Sequence, residues 1–227
     1  MLHLASKLAV DVDVATDALL DYPGATLRYY DFGPPSPPNE VTPTDVGRLL
    51  VIEPLNQRVA VPILSASNSA PWERVDPDAR LIDADPEGPL YAAANALYEH
   101  FERISGVGPA IASKLLHLKR PAFFPLLDSE LRALYDQAAQ EAYQRSEVWK
   151  IRHPEWRRLY WAAVREDLLN SRNQEALAAV RSRLRDGNSD LVHVLLQASD
   201  VRLLDIVSWT LSIRNRRQSG DNKTDGN

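Results

Sequence analysis

Apolar residues recur at helical spacing most clearly between residues 89 and 120. Leu90, Ala93, Ala94, Leu97, Phe101 and Ile104 fall on one face of a helix opened by Pro89. The turn Ser105-Gly106-Val107-Gly108 interrupts that stripe, and Pro109 restarts it. A proline suits the first position of a helix, because its φ is already helical and the N–H it lacks would have no partner there. Ile111, Leu115 and Leu118 then form a second stripe with Ala112 and Leu116 beside it, and Lys114, Lys119 and Arg120 lie off it. The pattern predicts a helix-hairpin-helix over residues 90–120. Backbone N–H groups at the start of the second helix lack partners and sit at the positive end of the helix dipole, which suits a phosphate.

The rest of the chain reads as helices separated by prolines and polar turns. Asp11–Leu20 is a short helix with acids in its first turn, ended by Pro23-Gly24. Residues 26–32 are aromatic and β-branched and read as extended. Gly33-Pro-Pro-Ser-Pro-Pro38 is a stiff connector. Thr42-Pro43-Thr44-Asp45 is a helix start of the capping-box kind, for a helix running to Glu53. Residues 56–66 fit helix and strand alike, and residues 65–88 are loop-rich, with Trp72 as a local anchor. Asp128 stands at the N-cap of a helix through Leu131, Leu134 and Tyr135. Arg152-His153-Pro154-Glu155 starts the next, Asn173 or Gln174 another that ends at Asp186-Gly187, and Ser199-Asp200 a last one through Leu211. The expected architecture is mainly α, one domain over residues 1–213 with about seven or eight helices. Its first 88 residues are acidic and loop-rich, and residues 214–227 read as a disordered polar tail.

Composition narrows the chemistry. There is no cysteine among the 227 residues, which excludes disulfides, thiolate metal sites, iron–sulfur clusters and cysteine nucleophiles. The five histidines include no pair at metal-ligand spacing, and the acids at 76–87 lack the glycine and terminal glutamate of a calcium loop, so neither metal nor cofactor is expected. No apolar run reaches the ~18 residues of a membrane span, and no leader precedes the fold, so the expectation is a soluble cytoplasmic protein. The net charge of −5 hides an asymmetry: residues 1–102 carry 6 basic and 16 acidic side chains, residues 103–227 carry 20 and 15. Between Arg103 and Arg120 there are four basic residues and no acid. A local basic face, not a basic protein, is what phosphate binding needs, although helices are charged on their wet side in any case.

The run Gly106-Val107-Gly108-Pro109-x-x-Ala112 resembles the hairpin of helix-hairpin-helix DNA-binding proteins, base-excision DNA glycosylases above all. A longer set resembles a bacterial family of unknown function over roughly residues 25–215. It comprises Ala112-Ser-Lys-Leu-Leu116, Lys119-Arg120-Pro121, Pro125-x-x-Asp128-Ser129 and Leu203-Leu204-Asp205-Ile206-Val207-x-Trp209. The glycosylase resemblance implies a catalytic aspartate about twenty residues past the second hairpin glycine, and that position is Asp128. It also implies phosphate contacts from the hairpin backbone at Ser105, Gly106, Val107, Gly108 and Ala110, supported by Lys114, Lys119 and Arg120. Ala110 occupies the place of the lysine nucleophile of bifunctional glycosylases, which rules out a Schiff-base lyase there. Ser129-Glu130 also departs from the histidine often found after the aspartate.

Each candidate has a plainer alternative. Asp128 is a good N-cap, the three cations suit the C-terminal end of a helix, and Trp156, Tyr160 and Trp161 fit a core better than a stacking surface. Three functions stay open. The first is a binding module that grips the DNA backbone without reading its sequence. The second is a monofunctional glycosylase-like enzyme using Asp128. The third is a protein-interaction domain on a relic fold, whose acidic N-terminal half meets a protein partner.

Overall fold

The computed structural model describes residues 1–5, 7–152 and 154–221. It is mainly helical, with twelve α-helices among the described residues and one two-stranded sheet. Strands β1 (Leu2–Leu4) and β2 (Leu8–Val10) pair antiparallel with Leu2 opposite Val10, a hairpin absent from the sequence reading. Helix α1 (Val12–Leu20) follows, its first turn capped by the Asp11 carboxylate, which accepts from the Asp13 amide.

Residues 26–32 are not extended. Helix α2 (Gly24–Thr26) runs into a π turn over Leu27–Asp31. Among the described residues no strand pairs with this segment, and Leu27 and Tyr30, three apart, are both buried. Helix α3 (Pro43–Leu49) has the expected capping box, with Thr42 and Asp45 exchanging hydrogen bonds, but ends four residues before Glu53. The ambiguous stretch is helix α4 (Gln57–Ser67), with Pro62 inside it. Short 3-10 turns at Trp72–Arg74 and Leu81–Asp83 fill the loop-rich region. The buried Trp72 anchors it by donating Nε1–H to the Ser67 carbonyl.

Helices α5 (Pro89–Glu102) and α6 (Pro109–Lys119) are the two arms of the hairpin. Then come α7 (Ser129–Arg145), α8 (Glu147–Arg152), α9 (Trp156–Leu169), α10 (Ser171–Arg185), α11 (Asp190–Gln197) and α12 (Asp200–Asp221). Helix α10 starts earlier than expected because Asn170, not Asn173, is its cap. Asn173 lies inside the helix and is buried, exchanging hydrogen bonds with the backbone of His3 and so pinning the N-terminal hairpin. The expected tail is helical from Arg214 to Asp221, as part of α12; His153 and residues 222–227 lie outside the described residues.

The core forms where α7 packs on α9 and α12, α1 packs on α10 and α12, and α6 is held between α3 and α5. Trp161 is its centre, with the rings of Tyr91, Tyr98 and Phe124 each 5.3–5.5 Å away, centre to centre. Tyr160 is buried beside it and Trp156 stacks on Tyr160, so the three aromatics of α9 belong to packing. Helix α6 is buried almost all round, which its two-sided apolar pattern only half suggests. Among the described residues no helix is long and apolar enough to cross a membrane.

Candidate functional site

The hairpin is built by two glycines with different duties. Gly106 has φ of +86°, and a Cβ there would lie 2.8 Å from Cγ2 of Val59 on α4, so both backbone angle and packing demand glycine. Val107 plugs the turn from inside, its amide donating to the Ile104 carbonyl at 2.9 Å. Tyr98 on α5 donates its hydroxyl to the Pro109 carbonyl at 2.6 Å and fastens the second arm to the first. Gly108 has ordinary extended angles, and a Cβ on it would meet nothing within 4 Å. No side chain caps α6, so its first turn presents bare backbone around Gly108 and Ala110, next to the exposed Ser105 and Gly106.

The three cations expected to support a phosphate there face inward instead. Lys119 is 4% exposed and donates to Asp45 Oδ2 at 2.6 Å, to Ser36 Oγ and to the Pro37 carbonyl. Arg120 is fully buried and donates to the carbonyls of Val75, Pro38 and Lys119 and to Asn39 Oδ1, while its guanidinium lies over the Trp72 ring. Together they strap the proline-rich loop to the end of α6. Lys114 is paired with Glu53 at 2.5 Å. The correction has a simple cause: α6 has no wet face, so positions off its apolar stripe meet other parts of the protein and need internal partners.

Asp128 is the N-cap of α7, its Oδ1 accepting from the Leu131 amide at 2.9 Å. It also lines a cavity of about 260 Å³ between α6 and α12. Lys114 comes from α6, and Arg202, Asp205 and Trp209 from α12. Tyr22, Pro23 and Thr26 close one side, Val51 and Ile52 another, and Leu126 and Leu131 the base of α7. Asp128 Oδ2 has no hydrogen-bond partner among the described residues.

The α12 wall is held rigidly. Arg202 donates Nε–H and Nη2–H to the two carboxylate oxygens of Asp31 at 2.6 and 2.9 Å, and Nη2–H also to the Tyr22 hydroxyl. Its guanidinium lies over the Tyr22 and Tyr30 rings, and the Tyr22 ring stands edge-on to Trp209. Asp205 is buried and accepts through Oδ2 from the Leu126 amide at 2.9 Å. Burial raises its pKa, Arg202 and the Leu126 N–H oppose, and the charges of Asp128 and Asp31 add to the rise, leaving it at about 8. Asp205 is therefore mostly protonated at neutral pH. Next door, His117 is pushed down to about 4 by burial and by Arg202, and it is neutral, with Nδ1 donating to the Phe124 carbonyl at 2.7 Å.

Asp205 and Trp209 belong to the run that carries the family resemblance, but that run gave no reason to place them at a site. Arg202, Tyr22 and Asp31 were not singled out. One signal was available: Arg202, Asp205 and Trp209 stand at i, i+3 and i+7 and share a helix face. An arginine and an acid on the otherwise apolar face of a core helix need a reason. Among the described residues no group of three or more histidines or acids could hold a metal ion.

The cavity brings together the Trp209 ring, the Asp128 carboxyl on the α7 side and a polar α12 wall. No curated protein and no solved structure matches the chain. A family model, described as a family of unknown function (DUF6308), matches residues 16–212, a span that includes the hairpin and every residue lining the cavity. The chain belongs to that family.

Proposed function

We propose that the protein hydrolyses an N-glycosidic bond in a nucleic acid, without lyase activity. A base turned out of its stack occupies the cavity between α6 and α12, and the bare start of α6 meets the backbone phosphate. The observation that carries this reading is Asp128. It follows Gly108 by twenty residues and lines the cavity, with one carboxyl oxygen free of a partner among the described residues. In the reaction, water adds to the anomeric carbon as the carbon–nitrogen bond breaks. The base leaves with the bonding pair and takes up a proton. Asp128 Oδ2 stabilises the positive charge that develops on the sugar or accepts the proton of the attacking water. Its N-cap bond keeps the carboxyl group from turning away. Ala110 offers no amine, so the product is an abasic sugar and an intact backbone.

The test is release of free base from modified and undamaged duplex and single-stranded oligonucleotides. Asp128→Asn, which keeps the N-cap acceptor, is expected to lower release by about a hundredfold or more and to leave binding intact. Equal release by the variant, or none by the wild type from any of these substrates, sinks the reading.

A second reading, a non-catalytic grip on phosphate, is favoured by one observation. Nothing in the packing or backbone angles of the protein requires glycine at 108, yet the start of α6 is left bare. It loses the support of Lys114, Lys119 and Arg120, which are engaged inside. Gly108→Asp supplies α6 with a cap while placing a negative charge where a phosphate would sit. Fluorescence anisotropy with labelled oligonucleotides is expected to show binding that weakens with salt and is lost in this variant, with thermal stability kept or raised.

A further inference from the structure

Arg202 and Asp205 on α12 line the cavity, and one polar atom of each, Arg202 Nη1 and Asp205 Oδ1, has no hydrogen-bond partner among the described residues. Both side chains are buried, at 3% exposure each. Neither can swing to find a partner. Arg202 is locked at Nε and Nη2 by Asp31 and Tyr22, which leaves Nη1–H as a fixed donor. Asp205 is locked through Oδ2, which already accepts the Leu126 N–H. The proton of the neutral acid therefore belongs on Oδ1, the oxygen left without a partner. The charged groups around Asp205 are Arg202 on its own helix, Asp128 at the start of α7, Asp31 in the π turn and, along the cavity, the Lys114–Glu53 pair. Tyr22, Tyr135 and Tyr160 also face it, each with its pKa raised by burial and so neutral. In this state α12 offers two donors, three residues apart on one helix face, beside the Trp209 ring.

Resting on the reading of the cavity as a base site, we infer that the α12 wall selects a planar oxo-heterocycle by an edge with two neighbouring acceptors, a ring nitrogen beside a carbonyl, as in a 6-oxopurine. Arg202 Nη1–H and Asp205 Oδ1–H each meet an acceptor on that edge. A 6-aminopurine presents an amino donor where the carbonyl would be, and sets donor against donor.

Calorimetric titration of the full-length protein with hypoxanthine and with adenine tests the assignment. Hypoxanthine is expected to bind at least about tenfold more tightly than adenine at neutral pH, the difference of one hydrogen bond made against one opposed. Its affinity is expected to fall as the pH rises through about 8, as Asp205 loses its proton. Asp205→Asn keeps an acceptor for the Leu126 N–H and turns a permanent amide donor to the cavity. This variant is expected to retain hypoxanthine binding and to lose the part of the pH dependence that belongs to Asp205; titration of the ligand itself remains in both proteins. Equal affinity for the two bases, binding of neither, or an unchanged pH profile in Asp205→Asn overturns the assignment. Asp128-dependent release without preference between oxo- and aminopurines overturns this edge and leaves the hydrolase standing. Preference for hypoxanthine in a protein that releases no base does the reverse.

Discussion

At the scale of the residue, the two hairpin glycines separate structure from function. Gly106→Ala forces a side chain into a left-handed backbone position and a 2.8 Å contact with Val59, so a loss of about 2 kcal/mol or more is expected. In a chain of this size that is a fall of roughly 4–8 °C in melting temperature, read by calorimetry. Gly108→Ala meets neither obstacle and should stay within about 0.5 kcal/mol of wild type. The pair Gly-x-Gly was legible in the sequence; which glycine the fold needs was not, because that depends on Val59, a residue 47 positions away. Asp128 shows the same division. Its role as an N-cap follows from local sequence alone, since a cap bonds an amide three residues on. Its second, free oxygen acquires meaning only from α12 across the cavity.

At the scale of the element, α6 departs furthest from its pattern. A helix with a polar stripe is expected to wet that stripe, and on that ground Lys114, Lys119 and Arg120 looked outward. The structure surrounds α6 on all sides, and the buried cations act as clamps. Burial lowers the pKa of Lys119 and Asp45 pulls it back up; at Asp45 burial is outweighed by hydrogen bonds from Lys119, Ser36 and Thr42, and its pKa falls. The two therefore stay a buried ion pair. Lys119→Met leaves Asp45 buried and unpaired, at an expected cost of about 3–5 kcal/mol in urea unfolding. The double variant with Asp45→Asn should recover much of it, and full additivity of the two single losses would contradict the clamp. The π turn over Leu27–Asp31 teaches a related lesson. Aromatic and β-branched residues favour strands only where a neighbouring strand exists, and here Asp31 is needed at a turn that faces Arg202.

At the scale of the whole molecule, the charge asymmetry along the chain closes on itself. Acids of the first half meet bases of the second in Glu53–Lys114, Asp45–Lys119, Asp31–Arg202 and Glu99–Arg157. These four cations of the second half are thus spent on acids of the first and add nothing to an outward field. Two buried carboxyls also set a global pH response. Asp167, which accepts from the Ala5 amide and the Tyr135 hydroxyl, is raised by burial to about 7, and Asp205 to about 8. The folded state holds these protons more tightly than the unfolded chain, where both groups titrate near 3.8. Their stabilisation is complete below that value and is lost progressively as the pH rises to about 7 and about 8. Melting temperature should therefore decline from weakly acidic to weakly alkaline pH. Asp205→Asn, having no proton to lose, should flatten the upper part of the decline.

The sequence by itself determined what is local. Its helical periods, prolines and caps set a mainly α fold, the hairpin over residues 90–120 and the N-caps at Thr42 and Asp128, because each depends on residues within about one turn of one another. Only the tertiary structure decided that α6 has no wet face, that its cations are spent on Glu53, Asp45 and the proline-rich loop, and that Asp128 and Asp205 line one cavity. Those outcomes depend on which distant segments pack together. Burial then changes the meaning of a charge, for a lysine or an aspartate that would be solvated on a free helix must be paired, protonated or left facing a space that a ligand can fill.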